Sequence, residues 1–395
     1  MERQKISGCV YILFGLLLVI VLGLAPFSAA AADRGEPLRV IYGFDREFPP
    51  FSYEEAGGNP TGFEVEVIRA VFQGTNVNLS TRPLKWETVP IELSAGTVTL
   101  TTGMVQTEQR SQLYLFSRRA TFPLQIRLFT KIYNRKPGTA MLRGLPVSVE
   151  QGSLAHRLLE AYGGMNIKTY KSAVDALRAL YNDEVAAYCG PVQNTYYYIG
   201  KLQYGAITTV GTPLGITEMR VAVNRDRGDI LKLVDEGLER VVTSGEYDRL
   251  YRKWFVRELS DRERKVLRDA AVGAAVPSYV PYGQNGMGAA VLTASGKVYG
   301  GTQMENADPA LTLSAMRSAV AAAIGAGDFE LRAAVLVAPD GSLIMPGPED
   351  LQVLSEFGRG ILVPVEEEKG KVVDHMVAEL LPNPTVREIR PLLPE

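Results

Sequence analysis

Between Leu38 and Phe255, short β-branched or aromatic stretches alternate with amphipathic helical stretches. That alternation restricts this part of the chain to α/β architectures with a mainly parallel sheet. The pattern opens with the strand-like LRVIYGF at Leu38–Phe44. FPPFSY at Phe48–Tyr53 follows, and its paired prolines predict an extended loop. GGNPTGFE at Gly57–Glu64 is a turn leading into a helix over Phe63–Phe72. A second alternation runs through Leu79–Leu84, Trp86–Ser94 and Val98–Thr102. A further lobe is predicted to begin near Leu145. It has a strand at Pro146–Val149, a turn into a helix at Gln151–Leu154, a helix capped by Ser172 through Tyr181, and a strand at Val185–Cys189. The chain is expected to return to the first lobe near Arg220–Asn224 and to close with helices over Ile230–Thr243 and Gly245–Phe255.

At 395 residues the chain has room for two or three compact units. A formal charge of −2 gives no reason to expect nucleic acid or an anionic membrane as a partner. The aromatics do not interleave with basic clusters, as a nucleic-acid surface would require. The first 32 residues read as a secretory signal: Arg3 and Lys5, the apolar run Cys9–Ala25, then Pro26 and the small residues Ser28–Ala32. Cleavage near Ala32 is expected, with an uncleaved anchor as the alternative. The mature protein would be periplasmic or extracellular. Cleavage leaves Cys189 as its lone thiol, so no disulfide within one chain is expected.

Seven stretches in order carry a resemblance: FPPFSY, PTGFEVEV, LSAGTV, TGMVQTEQR, YLFSRRATF, QGS and EYDRLYRKWF. Over nearly all of Leu38–Val256 the chain resembles the family 3 extracellular solute-binding proteins. The resemblance implies two α/β lobes, about 37–135 with 220–258 and about 140–218, joined by crossover strands and closing on a small polar solute. Arg110 stands at that family's carboxylate-binding arginine, and a planar guanidinium offers a carboxylate two parallel donors. Asp45 stands at another ligand-facing position, with Phe48, Phe51 and Tyr53 as an apolar wall. Gly103, Gly152 and Ser153 would bring backbone N–H groups to the solute. The chain departs from the pattern at Thr99, at Val105 and at Cys189-Gly190-Pro191, where the second lobe has no carboxylate for an ammonium. The expected ligand is therefore a small carboxylate-bearing solute.

The tail carries YVPYGQNGMGAAVL at Tyr279–Leu292, GKVY at Gly296–Tyr299, MENA at Met304–Ala307, LTLSAMRSAV at Leu311–Val320, LQVLSEF at Leu351–Phe357 and VAELLPNPT at Val377–Thr385. From Leu259 to about Ile389 it is similar to the cytidine deaminases, which implies a three-layer α/β/α domain over 259–395. Zinc hydrolysis needs thiolate or imidazole ligands and a non-ligand Glu as proton shuttle. The corresponding positions here are Ser314, Met316, Gly347 and Asp350, and Pro346 alone is kept from the second ligand motif. No metal or cofactor is expected. Gln303 and Glu305 stand where the family contacts a ribose, and Glu305 reads equally as a residue that caps its own loop.

These readings point to an exported solute-binding protein serving an ABC-type permease or a sensor. The tail would be catalytically inactive and would oligomerise, dock a partner or bind a nucleoside. One alternative is a structural or signalling assembly in which both sites are degenerate. Another is a prephenate-like dehydratase using Asp45 or Glu47 as its acid.

Overall fold

The computed structural model describes residues 36–134, 138–283, 285–367 and 370–385, and the expected signal segment lies outside them. The strands of the first domain are β1 (Leu38–Asp45), β2 (Glu47–Phe48), β3 (Ser52–Glu54), β4 (Pro60–Thr61), β5 (Val77–Leu84), β6 (Leu100–Val105), β7 (Tyr114–Phe116), β8 (Phe122–Lys131), β9 (Pro146–Glu150), β10 (Asn166–Tyr170), β11 (Ala187–Pro191) and β12 (Ile207–Asn224). Nine of them form one sheet in the order β10-β9-β11-β8-β12-β6-β1-β5, with β7 also paired to β12. β1 runs parallel to β6, and β9 parallel to β10 and β11, as helical crossovers require.

Two long strands join the lobes. β8 pairs antiparallel with β12 from Phe122↔Met219 to Lys131↔Ile207, with a register shift between Val210 and Gly215. From Ile126 onward β8 also pairs with β11. The far half of β8 and the near half of β12 thus belong to the second-lobe sheet. The expected loop at FPPFSY is a small antiparallel ribbon, β2-β3-β4, turning at residues 49–51.

The first-lobe core follows from period: Val40, Tyr42 and Phe44 alternate inward along β1, and Val65, Ile68, Val71 and Phe72 line one face of the helix Phe63–Phe72. The closing helix Glu246–Phe255 packs on that core through an aromatic cluster. Phe63 meets Phe255 at 5.0 Å and Tyr247 at 5.5 Å between ring centroids, and Phe122 meets Phe255 at 4.8 Å. The two lobes touch. Asn194, on the second-lobe helix Val192–Lys201, donates from Nδ2 to the Pro49 carbonyl at 2.6 Å, and Tyr53 lies 5.6 Å from Tyr197.

The tail has β13 (Gly288–Thr293), β14 (Val298–Thr302), β15 (Leu331–Val337), β16 (Leu343–Ile344), β17 (Leu362–Glu366) and β18 (Val372–Met376), in sheet order β14-β13-β15-β17-β18. The helix Asp261–Ala275 covers one face through Leu267 and Ala271, against Ala290, Leu292, Ala333 and Val335. The helices Ala315–Gly325 and Pro348–Ser355 cover the other, against Ala289, Val291, Ala334 and Leu336. This is the three-layer arrangement that the resemblance implied. Ser260 opens the domain with a capping box, accepting from Glu263 N–H while the Glu263 carboxylate accepts the Ser260 N–H. Among the described residues no helix is long and apolar enough to cross a membrane.

Candidate functional sites

The guanidinium expected to hold a carboxylate sits just past the end of β6. Thr107 caps the short helix Glu108–Leu113 by accepting from Arg110 N–H, which fixes where the Arg110 side chain starts. Arg110 Nη1 donates to the Val105 carbonyl at 2.8 Å and meets no carboxylate among the described residues. Burial and then the neighbouring Arg157 pull its pKa below the usual guanidinium range. Two cations are therefore held near each other. Gly103, two residues before Val105, adopts φ +72°, and a Cβ there would meet nothing within 4 Å. It stands where the pairing of β12 with β6 shifts register, with open space above the backbone.

Carboxylates gather at the end of β1. Burial, then Glu47, Glu150 and Glu87, push Asp45 up to about 6, against the pull of the Glu47 N–H donating at 3.0 Å. Glu150 ends β9 in the second lobe, and burial, Glu87 and Glu47 raise it against the pull of the Ala173 N–H. Among the described residues neither Asp45 nor Glu150 pairs with a cation; Glu47 meets Arg46 at 3.6 Å. Tyr198 joins this group, raised to about 12 by burial and by Glu150, Tyr197 and Asp45. The structure thus gathers an acidic group from both lobes and, separately, a basic pair from both lobes.

The other expected contacts divide. Tyr53 is half-buried against Tyr197, 5.6 Å away, and Trp254 at 6.5 Å. Phe48 is half-buried and stacks on Phe51 at 4.9 Å. Phe51 itself is fully buried against Phe122 and Phe255, as part of the core. Gly152 N–H donates to His156 Nδ1 at 3.2 Å, and Ser153 caps the helix Leu154–Tyr162 by accepting from His156 N–H, so this turn satisfies itself. Glu150 lies one residue past the strand that the sequence predicts at Pro146–Val149. Its neighbours Asp45 and Glu87 are remote in sequence, so the only available signal was a charge at a strand's C-terminal end. Cys189 is buried in the second lobe, and burial pushes its thiol up, away from thiolate chemistry.

In the tail, Ser314 and Asp350 come together. Ser314 caps the helix Ala315–Gly325, accepting from Arg317 N–H, and donates to Asp350 Oδ1 at 2.6 Å. Gly347 is the N-cap of Pro348–Ser355, and the Met316 thioether is fully buried in the core. Arg317 Nε lies 3.9 Å from Asp350. Among the described residues no three His, Cys, Asp or Glu side chains gather closely enough to hold a metal. Glu305 Oε2 accepts the Tyr282 and Gly283 N–H groups, both at 2.9 Å, and Gln303 Oε1 accepts Met287 N–H at 3.1 Å. Both side chains hold their own loop.

Comparison with known proteins agrees with this division. Residues 40–257 match bacterial extracellular solute-binding proteins, family 3, and residues 243–344 match the cytidine and deoxycytidylate deaminase zinc-binding region. The L-cystine-binding protein TcyJ of Escherichia coli (strain K12) is 25% identical over 227 residues, covering 55% of this chain and 82% of that protein. A cytidine deaminase of Mycobacterium tuberculosis (strain ATCC 25618 / H37Rv) is 38% identical over 100 residues, covering 25% of this chain and 75% of that protein. In fold, a histidine kinase sensor domain with similarity to periplasmic binding proteins matches with TM-score 0.51 at 22% identity, over 56% of this chain and 97% of that one. The chain belongs to the family 3 bacterial extracellular solute-binding proteins, and its tail belongs to the cytidine deaminase family.

Proposed function

We propose that this is an exported binding protein that captures an amino-acid-like solute between its lobes and presents it to a permease or sensor. Arg110, whose only protein acceptor among the described residues is a backbone carbonyl, carries this reading. A half-buried guanidinium without a carboxylate costs some stability, and a ligand carboxylate offsets that cost with two charge-assisted bonds. The acidic group supplies the opposite requirement. Glu150 takes the place of the missing second-lobe carboxylate, and with Asp45 it receives an ammonium or a cationic side chain. The solute is therefore an α-amino acid or a close analogue, preferably one with a second cationic group. The binding of L-cystine by one relative, and the probable binding of histidine by a Neisseria gonorrhoeae relative, support an amino-acid panel for the test.

Titration calorimetry with L-arginine, L-lysine, L-histidine, L-cystine and L-glutamate tests this. At least one basic or zwitterionic member is expected to bind. Arg110→Ala should weaken it by about 30-fold or more, and Glu150→Gln should weaken the basic members most. Binding of L-glutamate alone, or binding indifferent to Arg110→Ala, overturns the assignment.

We infer further that the tail does not deaminate. Its helix N-termini offer a hydroxyl and one carboxylate bonded to each other, a donor set that does not fit the thiolate and imidazole cage zinc requires. With Met316 in place of the family's Glu, no group there carries a proton between water and base. Purified protein is expected to hold far less than one zinc per chain and to leave cytidine unchanged. Stoichiometric zinc together with uridine formation would sink this reading.

A further inference from the structure

Two contacts between the tail and the binding domain fall on different lobes. The first is the helix Glu246–Phe255, whose Tyr247 hydroxyl donates to the Thr121 carbonyl at 2.7 Å in the first lobe. Arg359 of the tail stacks over Tyr247 at 4.7 Å and over Tyr251 at 5.4 Å, and it also pairs with Asp248. The tail therefore rides on the first lobe.

The second contact is Glu330, at the start of the central tail strand β15. Its Oε2 accepts the Tyr196 hydroxyl, from the second-lobe helix Val192–Lys201. Its Oε1 lies 3.4 Å from Arg127 Nη1, on the half of β8 paired with β11, where Arg127 faces Gly190. Thr209, on the near half of β12, bonds the same carboxylate. Arg127 also donates from Nη2 to the Gly211 carbonyl at 2.6 Å and lies over the Phe329 ring at 5.7 Å. The side chains of Arg127 and Glu330 are 4% and 15% exposed. One carboxylate of a domain fixed to the first lobe is thus held by three second-lobe groups, two of them on the crossover strands.

We propose that the tail is a strut for the closed state, with Glu330 as the positioning residue that holds the second lobe against the first. Opening the lobes about β8 and β12 moves Arg127, Tyr196 and Thr209 away from a body anchored at Tyr247 and Tyr251. A poorly solvated carboxylate and guanidinium would then lose each other, and an ion pair this sheltered is costly to break from one side. Closure in this protein is consequently favoured before any solute arrives, and solute affinity gains from it. The second point rests on the solute-binding reading; the first does not.

The test is the distance between lobes in solute-free protein. Spin labels at Gln73→Cys on the first lobe and Lys168→Cys on the second, in a Cys189→Ser background, report it by pulsed double electron–electron resonance. Both positions are exposed. Glu330→Ala is expected to move population from shorter to longer distances, and Tyr196→Phe to do so in smaller measure. Should Glu330→Ala fail to fold, Glu330→Gln and Tyr196→Phe carry the test. Distance distributions unchanged from the parent in the folded variants overturn the proposal. With L-arginine as probe, Glu330→Ala should weaken binding by roughly 5-fold or more, the low end of ordinary coupling between sites. Absence of binding by every member of the panel would count against the solute assignment and leave the distance result standing.

Discussion

Glu64 is the most consequential single residue outside the cleft. It is fully buried in the helix Phe63–Phe72 and accepts the Thr121 hydroxyl at 2.7 Å. Burial raises its pKa to about 7, against the pull of Thr121 and Thr102. A carboxyl raised in the folded state stabilises fully below its unfolded value and loses that contribution as pH rises through about 7. Stability should therefore fall between about pH 4.5 and pH 7, by up to about 3 kcal/mol from this group alone. Glu64→Gln removes that dependence, and urea midpoints across this range should show the variant more stable than the parent above pH 7. A parallel pH profile for the two proteins would refute the burial argument.

At the scale of elements, the tail depends on how closely its helices approach the sheet. Gly301 in β14 lies under the helix Ala315–Gly325: a Cβ there would stand 2.0 Å from the Ala319 nitrogen and 2.4 Å from the Ala315 oxygen. Gly300 points to the opposite face, where the nearest atom to a Cβ is the Ala274 methyl at 3.3 Å. Gly301→Ala is expected to cost about 3 kcal/mol in denaturant unfolding because helix backbone must move, and Gly300→Ala much less. Equal costs would show that the helix tolerates displacement. Elements with local signals were legible: Ser172 caps its helix with its own side chain, and β1 alternates inward at every second residue. The ribbon at FPPFSY was less legible, since its strands of two or three residues are too short to show a period.

At the scale of the whole molecule, what escaped the sequence was pairing across distance. The sequence singles out Arg110 through a contiguous motif, and Ser314 and Asp350 through the motifs that flank them. Glu150 has no such motif, and its charge acts on Asp45 from a position remote in sequence. Phe51 shows the converse: an aromatic expected to face a ligand that turns into the core, where Phe122 and Phe255 receive it. The contact of Glu330 with Arg127 joins residues 203 positions apart, and neither has a local feature that announces the other. That contact has a thermodynamic corollary. Linkage between two sites is reciprocal, so whatever grips the tail and draws Glu330 off the second lobe loosens the solute by the same factor by which the solute loosens the grip. Under the two proposals together, pulling on the tail lowers solute affinity.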